Sequence, residues 1–191
     1  MMAAILSRVK VAEVITPLQP HQKRIPEKLK ASGGVVAVHG VGSGKTLEAI
    51  AAQDTLGTPA DVVVPAPLIH NYQKEIAKHV RGHLPDTRIQ SYEKAVRGGG
   101  VDPERFVIAD EAHRMRNPGT GIGNLTKQIA KAKYRLLLTG TPVYNNPSDL
   151  AYLINAAAGK EQLPADRAAF EQKYVGKKVV EPPFLSRLFG A

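Results

Sequence analysis

The 191-residue chain has no cysteine and no tryptophan. Without cysteine there can be no disulfide and no thiolate-ligated zinc, which fits a reducing compartment. No apolar run approaches the roughly 20 residues of a membrane-spanning helix. The opening Met1–Leu6 is followed at once by Arg8 and Lys10, too short for the apolar region of a signal peptide. Acidic residues are also short: 17 Asp and Glu against 26 Lys and Arg leave a net charge of +9 and a pI near 9.8. Such an excess favours a polyanionic partner, because phosphate contacts release counterions, although a basic surface with no partner has the same composition. Hydrophobic residues make up 43% of the chain, enough for a core, and there is no internal repeat or low-complexity tract. The expectation is a soluble intracellular protein with one large domain and no membrane partner.

The remaining pattern is a repeated alternation of two kinds of segment. Val35–Val38, Asp61–Val64, Arg105–Ala109 and Tyr134–Leu138 are short apolar runs, continuous as strands buried on both faces of a parallel sheet must be. Between them Thr46–Thr55, Leu68–Val80 and Asn124–Ala132 have helical composition. Further helices are expected from Pro147 to Ala158, where proline suits a first turn, and from Leu163 to Tyr174. Gly98-Gly99-Gly100 predicts a flexible loop. This order predicts an α/β fold, a three-layer sandwich around a mostly parallel sheet.

Two motifs carry chemistry. His39-Gly40-Val41-Gly42-Ser43-Gly44-Lys45-Thr46 follows the first strand and opens a helix. Glycines there let successive backbone N–H groups turn inward on phosphate oxygens, and the helix N-terminus adds partial positive charge. Gly42, Ser43 and Gly44 would cradle the phosphates of ATP, Lys45 would reach the β- and γ-phosphates, and Thr46 would place its hydroxyl on Mg²⁺. The strict pattern has glycine where His39 stands. About 65 residues beyond Lys45, the run Phe106–Ala109 ends in Asp110-Glu111-Ala112-His113. An acid at a strand end holds Mg²⁺ in phosphate-loop ATPases, which suits Asp110, and Glu111 can take the proton of an attacking water. His113 has no cysteine and no second histidine at ligand spacing, which disfavours a structural metal.

With Asp-Glu-Ala-His the chain resembles the superfamily 2 helicases, and more closely their Swi/Snf-like translocases, over roughly Leu18 to Tyr174. Leu18-Gln19-Pro20-His21-Gln22 is similar to the motif whose glutamine reads adenine, which implies that role for Gln22. Val64-Pro65-Ala66-Pro67-Leu68, with Tyr72 and Glu75, resembles the segment lying on the nucleic-acid backbone, with Pro67 in place of serine and Tyr72 in place of tryptophan. The spacing of Leu68, Tyr72 and Ile76 equally fits a helix packing face. Ile89-Gln90-Ser91-Tyr92 resembles the next strand-end motif, after an abbreviated insert, and offers Ser91 as a phosphate contact. His113-Arg114-Met115-Arg116-Asn117-Pro118 and Thr139-Gly140-Thr141-Pro142 resemble the Swi/Snf pattern closely, which implies that His113, Thr139, Gly140 and Thr141 couple nucleotide state to the grip on nucleic acid.

The resemblance implies a RecA-like lobe over residues 18–175, an N-terminal extension over 1–17, and a tail over 176–191 leading toward a second lobe. It further implies an ATP- and Mg²⁺-using motor on nucleic acid, double-stranded DNA in the first instance, in the cytoplasm, nucleoid or nucleus, or encoded by a phage or virus. Nothing after Thr141 matches the arginine-finger element of the family's second lobe, so a second RecA-like lobe in cis or trans is expected to complete turnover. Two rival readings compete: a regulatory module that binds nucleotide or DNA without turnover, and a phosphate-loop ATPase outside the helicases. Glu111 argues against the first, and Gln22 with Thr139–Thr141 against the second.

Overall fold

All four apolar runs pair side by side in the computed structural model, which describes residues 12–40, 42–116, 121–142 and 146–175. The strands are β1 (Ala12–Val14), β2 (Gly34–Val38), β3 (Ala60–Val64), β4 (Val80–Gly82), β5 (Thr87–Ser91), β6 (Phe106–Ala109) and β7 (Tyr134–Thr139). Five of them form one parallel sheet in the order β2-β7-β6-β3-β5. The helices of two turns or more are α1 (Pro20–Ser32), α2 (Lys45–Leu56), α3 (Ile69–His79), α4 (Ile122–Lys131), α5 (Asp149–Ala158) and α6 (Arg167–Tyr174).

Continuous apolar strands are required because both faces of the sheet are covered. Val35, Ala37, Val62, Val64, Phe106, Ile108, Leu136 and Leu138 point to one face, where Ile25 and Leu29 of α1, Ile50 of α2 and Tyr72 of α3 meet them. The alternate residues Val36, Val63, Val107, Ala109 and Leu137 meet Leu125 and Ile129 of α4, Leu153 and Ile154 of α5, and Phe170 of α6. Each such aliphatic side chain contributes about 1.5–3 kcal/mol on burial. The expected three-layer sandwich is the observed one.

Several boundaries differ from the sequence reading. Leu18–Gln22 falls in none of the expected elements, but Pro20 begins the 13-residue α1, where the N–H that proline lacks is one a first turn leaves unpaired anyway. Helix α6 begins at Arg167 rather than Leu163, because the Asp166 carboxylate accepts a 2.9 Å bond from Ala169 N–H and fixes the start there. The expected Gly98–Gly100 loop is a tight turn: Gly100 N–H donates to Ala95 O at 2.8 Å, and Gln90 Nε2 donates to Gly100 O. Ahead of residue 18, β1 pairs antiparallel with β4, and Thr16 Oγ1 meets His79 Nδ1 at 2.6 Å while His79 Nε2 meets Glu75 at 3.0 Å. The expected tail 176–191 lies outside the described residues, as do Val41, Asn117 and Pro118.

At the N-terminal ends of the strands, Asp61 is wholly buried and gathers cations from the neighbouring strands. Arg88 Nε donates to its Oδ1 at 3.0 Å, and Asp102 N–H to its Oδ2 at 2.8 Å. Arg105 Nε lies 2.8 Å from Oδ1, close enough for an ion pair though angled off a hydrogen bond. This network ties β3 to β5 and to the start of β6, leaving the opposite ends of the strands to carry the loops.

Candidate nucleotide site and its loop edge

The motifs scattered through the sequence converge on the C-terminal ends of the parallel strands, where ligands of open α/β sheets bind. Strand order sets their sequence along that edge. The glycine loop leaves β2, Thr139–Thr141 leave β7, Asp110-Glu111 leave β6, Pro65–Leu68 leave β3, and Ser91 ends β5.

The glycine loop is built for a backbone cradle. Gly42 and Gly44 adopt φ of 78° and 81°, the left-handed region where a side chain is strained. A Cβ on Gly44 would also stand 2.7 Å from Gln22 Nε2. Lys45 turns its ammonium back over the loop, donating to His39 O at 3.2 Å and Gly40 O at 3.4 Å. Ser43 Oγ is buried with no partner among the described residues. Thr46 is half-buried in the first turn of α2.

Helix α1 holds this loop through Gln22. Its Oε1 accepts from Gln19 N–H at 2.9 Å, and its Nε2 donates to Gly44 O at 3.2 Å. The glutamine therefore stands against the phosphate loop with both ends of its amide engaged. The first loop residue is held as well: His39 N–H donates to Thr139 O at 3.1 Å, and the His39 ring lies between His21, at 5.0 Å between centroids, and Glu48, with Nε2 to Oε1 3.3 Å. Burial lowers the His39 pKa, with His21 and Lys45 adding to the effect, and burial pushes the Glu48 carboxyl up to about 7.

Two strands along the edge, the acidic pair takes two different environments. Asp110 is buried, and burial raises its pKa, with the neighbouring Glu111 adding to the rise; a bond from Glu111 N–H to its Oδ1 at 2.9 Å and the charge of Lys45 oppose it. Tyr92 donates its hydroxyl to Asp110 O at 2.9 Å and fixes the strand end. Glu111 has φ 52°, the only positive φ at a non-glycine among the described residues. Its carboxylate lies 3.3 Å from His113 Nδ1, and the same nitrogen lies 3.2 Å from Thr139 Oγ1. Thr139 Oγ1 also accepts from Thr141 N–H at 3.1 Å. Burial lowers the His113 pKa against the pull of Glu111. Gly140 completes the junction, since a Cβ there would sit 3.4 Å from His39 O and 3.6 Å from Lys45 Nζ.

The hard oxygen donors of Thr46 and Asp110 suit Mg²⁺, and a lysine held by two carbonyls can pass to phosphate oxygens. The expected ATP and Mg²⁺ residues thus share one edge. Among the described residues no group of three His, Asp or Glu side chains is placed to hold a metal by itself. No helix there is long and apolar enough to cross a membrane.

The residues expected on nucleic acid lie beyond the acidic box. Val64, just before Pro65, pairs with Ser91 in the β3–β5 register, so the two segments are neighbours. Pro65 is buried and Ala66 exposed, whereas Leu68 is half-buried and packs on the core with Tyr72 and Ile76, the packing alternative noted for this helix. Ser91 is buried, and its Oγ accepts from Lys94 N–H at 3.1 Å, so its hydroxyl serves a local cap. An open groove of about 940 Å³ runs here, lined by Pro65, Tyr92, Arg97, Glu111, His113 and Arg114 among others. Arg97 and Arg114 are additions to the sequence reading. Arg114 was read only as part of a motif, and Arg97 sits beside the glycines read as a loop. Glu48 was also missed, although a carboxylate inside the apolar run Leu47–Ala52 was a signal available in the sequence.

Residues 89–177 match the family model of the SNF2-related domain. A protein of Acanthamoeba polyphaga mimivirus, named as an ATP-dependent RNA helicase, is 31% identical over 167 residues, covering 85% of this chain and 37% of that protein. The human SWI/SNF-related matrix-associated actin-dependent regulator of chromatin subfamily A member 1 is 29% identical over 147 residues, covering 60% of this chain and 14% of its own length. The Sulfolobus solfataricus SWI2/SNF2 ATPase core, solved with dsDNA, superposes with a TM-score of 0.68 at 23% identity, over 85% of this chain and 40% of its own. The chain spans 37% or less of the two curated relatives. Over residues 89–177 the chain is therefore similar to the SNF2-related domain, and its α/β fold is that of the SWI2/SNF2 ATPase core.

Proposed function

We propose that the chain is the ATP-binding lobe of a nucleic-acid-stimulated ATPase that translocates on double-stranded DNA. One observation carries the reading: motifs separated by up to about 100 residues meet at one sheet edge, with Lys45, Thr139 and His113 joined through His39 and Thr139. In this reading Gly42, Ser43 and Gly44 offer N–H groups to phosphates, Lys45 leaves its two carbonyls for phosphate oxygens, and Gln22 faces the adenine. Thr46 and Asp110 would hold Mg²⁺, which would neutralise charge on the phosphates. Glu111 accepts the proton of the attacking water. His113 touches both Glu111 and Thr139, so a shift of Thr139–Thr141 reaches the base through a single ring. Pro65 lines the same groove as Glu111, with Ala66, Leu68 and Ser91 in the adjoining segments, and phosphates lying there would be read by charge and shape rather than by sequence.

The extent of the lobe, residues 18–175, and its need for a second RecA-like lobe supplying an arginine belong to the same proposal. An arginine finger contributes about 10³–10⁵ in rate, so slow hydrolysis is expected of the chain alone. The test is calorimetry of Mg²⁺–ATP on the native chain and on Lys45→Ala. Binding by the first and none by the second is expected, and equal affinity would refute the site. A DNA-stimulation assay on the chain joined to a second lobe then separates the motor from a binder without turnover and from a non-helicase ATPase.

A further inference from the structure

His39 is where this phosphate loop departs from the strict glycine pattern. The departure costs no backbone strain: His39 is not among the residues of positive φ, so glycine's freedom is not needed there. What has to be accommodated is the ring. It lies against His21 on α1 and points Nε2 at Glu48 on α2, 3.3 Å from Oε1. The Glu48 side chain is 1% exposed, and neither of its oxygens has a well-aligned hydrogen bond among the described residues. A buried carboxyl so poorly satisfied opposes folding. Yet the residue it approaches has both backbone groups in the site: His39 O receives the Lys45 ammonium at 3.2 Å, and His39 N–H donates to Thr139 O at 3.1 Å.

We propose that Glu48 is a positioning residue of the phosphate loop, which holds the His39 imidazole and, through the His39 backbone, sets where Lys45 and Thr139 stand to receive the β- and γ-phosphates of a nucleoside triphosphate. The proposal rests on the nucleotide reading above. It explains why a side chain replaces glycine at position 39 and why a carboxyl is retained in the apolar run Leu47–Ala52. Glu48 touches neither nucleotide nor metal in this role; it acts through His39.

A purely structural role and a positioning role differ in their dependence on His39. The native 191-residue chain, Glu48→Leu, His39→Gly and the double variant are compared by titration with a fluorescent ADP and Mg²⁺, with thermal melting in parallel. Leucine fills the site and removes the buried carboxyl, so Glu48→Leu should melt no lower than the native chain. It should nevertheless bind nucleotide about tenfold more weakly, as expected for losing one polar contact that orients the loop. In the H39G background the same change should cost less than about twofold, because the ring it held is gone. Glu48→Gln, which can still bond the imidazole, should stay within about threefold of the native affinity. Native affinity in Glu48→Leu, or an equal loss in both backgrounds, would overturn the positioning role while leaving the nucleotide reading intact. If the native chain binds no nucleotide, both fall together.

Discussion

Replacing Asp61 by asparagine should cost this domain several degrees of stability and leave its nucleotide site untouched. The carboxylate is completely buried at the start of β3 and faces two guanidinium groups. They do not count equally. Arg88 is 48% exposed and can return to water, so its loss is small, as for surface ion pairs. Arg105 is 17% exposed and keeps only the exposed Asp86 and backbone carbonyls as partners. Asp102 N–H loses a charged acceptor as well. Removing one member of a buried pair costs about 3–5 kcal/mol in full. Asparagine keeps one acceptor oxygen, so about 2–4 kcal/mol is expected, or roughly 5–15 °C in melting temperature for a domain of this size. Circular dichroism melts and urea titrations of the two proteins measure it. A strand of five residues puts about 16 Å between this network and the loop edge, so the effects should be independent. A shift under about 2 °C would refute the energetic assignment, and a parallel loss of nucleotide affinity would refute the separation of the two ends.

In a protein carrying both lobes, Glu111→Gln should retain Mg²⁺–ATP binding and lose turnover by about 10²–10⁴, as removal of a general base does, which steady-state hydrolysis set against calorimetry will check. The Glu48 carboxyl, raised from 4.5 to about 7 by burial, binds its proton more tightly in the folded chain, so its contribution is present in full below pH 4.5 and is lost as pH rises through 7. Glu48→Gln should remove that fall and gain up to about 3 kcal/mol above pH 7 relative to the native chain; urea titrations from pH 5 to 8 with parallel curves would contradict it. The lowered pKa of His39 bends the native curve the other way, with stability lost as pH falls below 6.5, so the difference between the two proteins is the informative quantity. Duplex DNA should bind without sequence preference, with a shallow salt slope worth about two to four phosphates, and a slope near zero would leave the groove arginines without a ligand.

The sheet was legible because strands buried on both faces are apolar along most of their length, as Val35–Val38 and Leu136–Leu138 are, the charges Asp61 and Arg135 standing near the strand starts. The glycine loop and the Asp110-Glu111 pair were legible as motifs because each ends an apolar run, and the structure brings both to one edge of the sheet. Helix α1 was not, since Pro26 and a majority of polar residues obscure its face, and only Gln22, Ile25, Pro26 and Leu29 are buried. The β1–β4 ribbon was hidden by its length of three residues on each side. The residues expected on nucleic acid were the least legible. Ser91 spends its hydroxyl on a cap and Leu68 packs inward, while Arg97 and Arg114 reach the groove through turns with no pattern of their own. Side-chain roles at loop ends depend on which strands are neighbours, and the order β2-β7-β6-β3-β5 is a property of the folded sheet.

Glu111 stands in a backbone conformation that disfavours it by about 1–2 kcal/mol relative to glycine. A chain selected only to fold would carry glycine there, and Glu111→Gly is the change at this edge that should make the protein more robust to heat. If Glu111 is the base proposed above, the glutamate held there sets a lower bound on what selection for chemistry outweighs at this position. Under the proposed function it also marks where drift would begin: a descendant relieved of hydrolysis would gain stability by losing Glu111 first, and would become a binder before anything else.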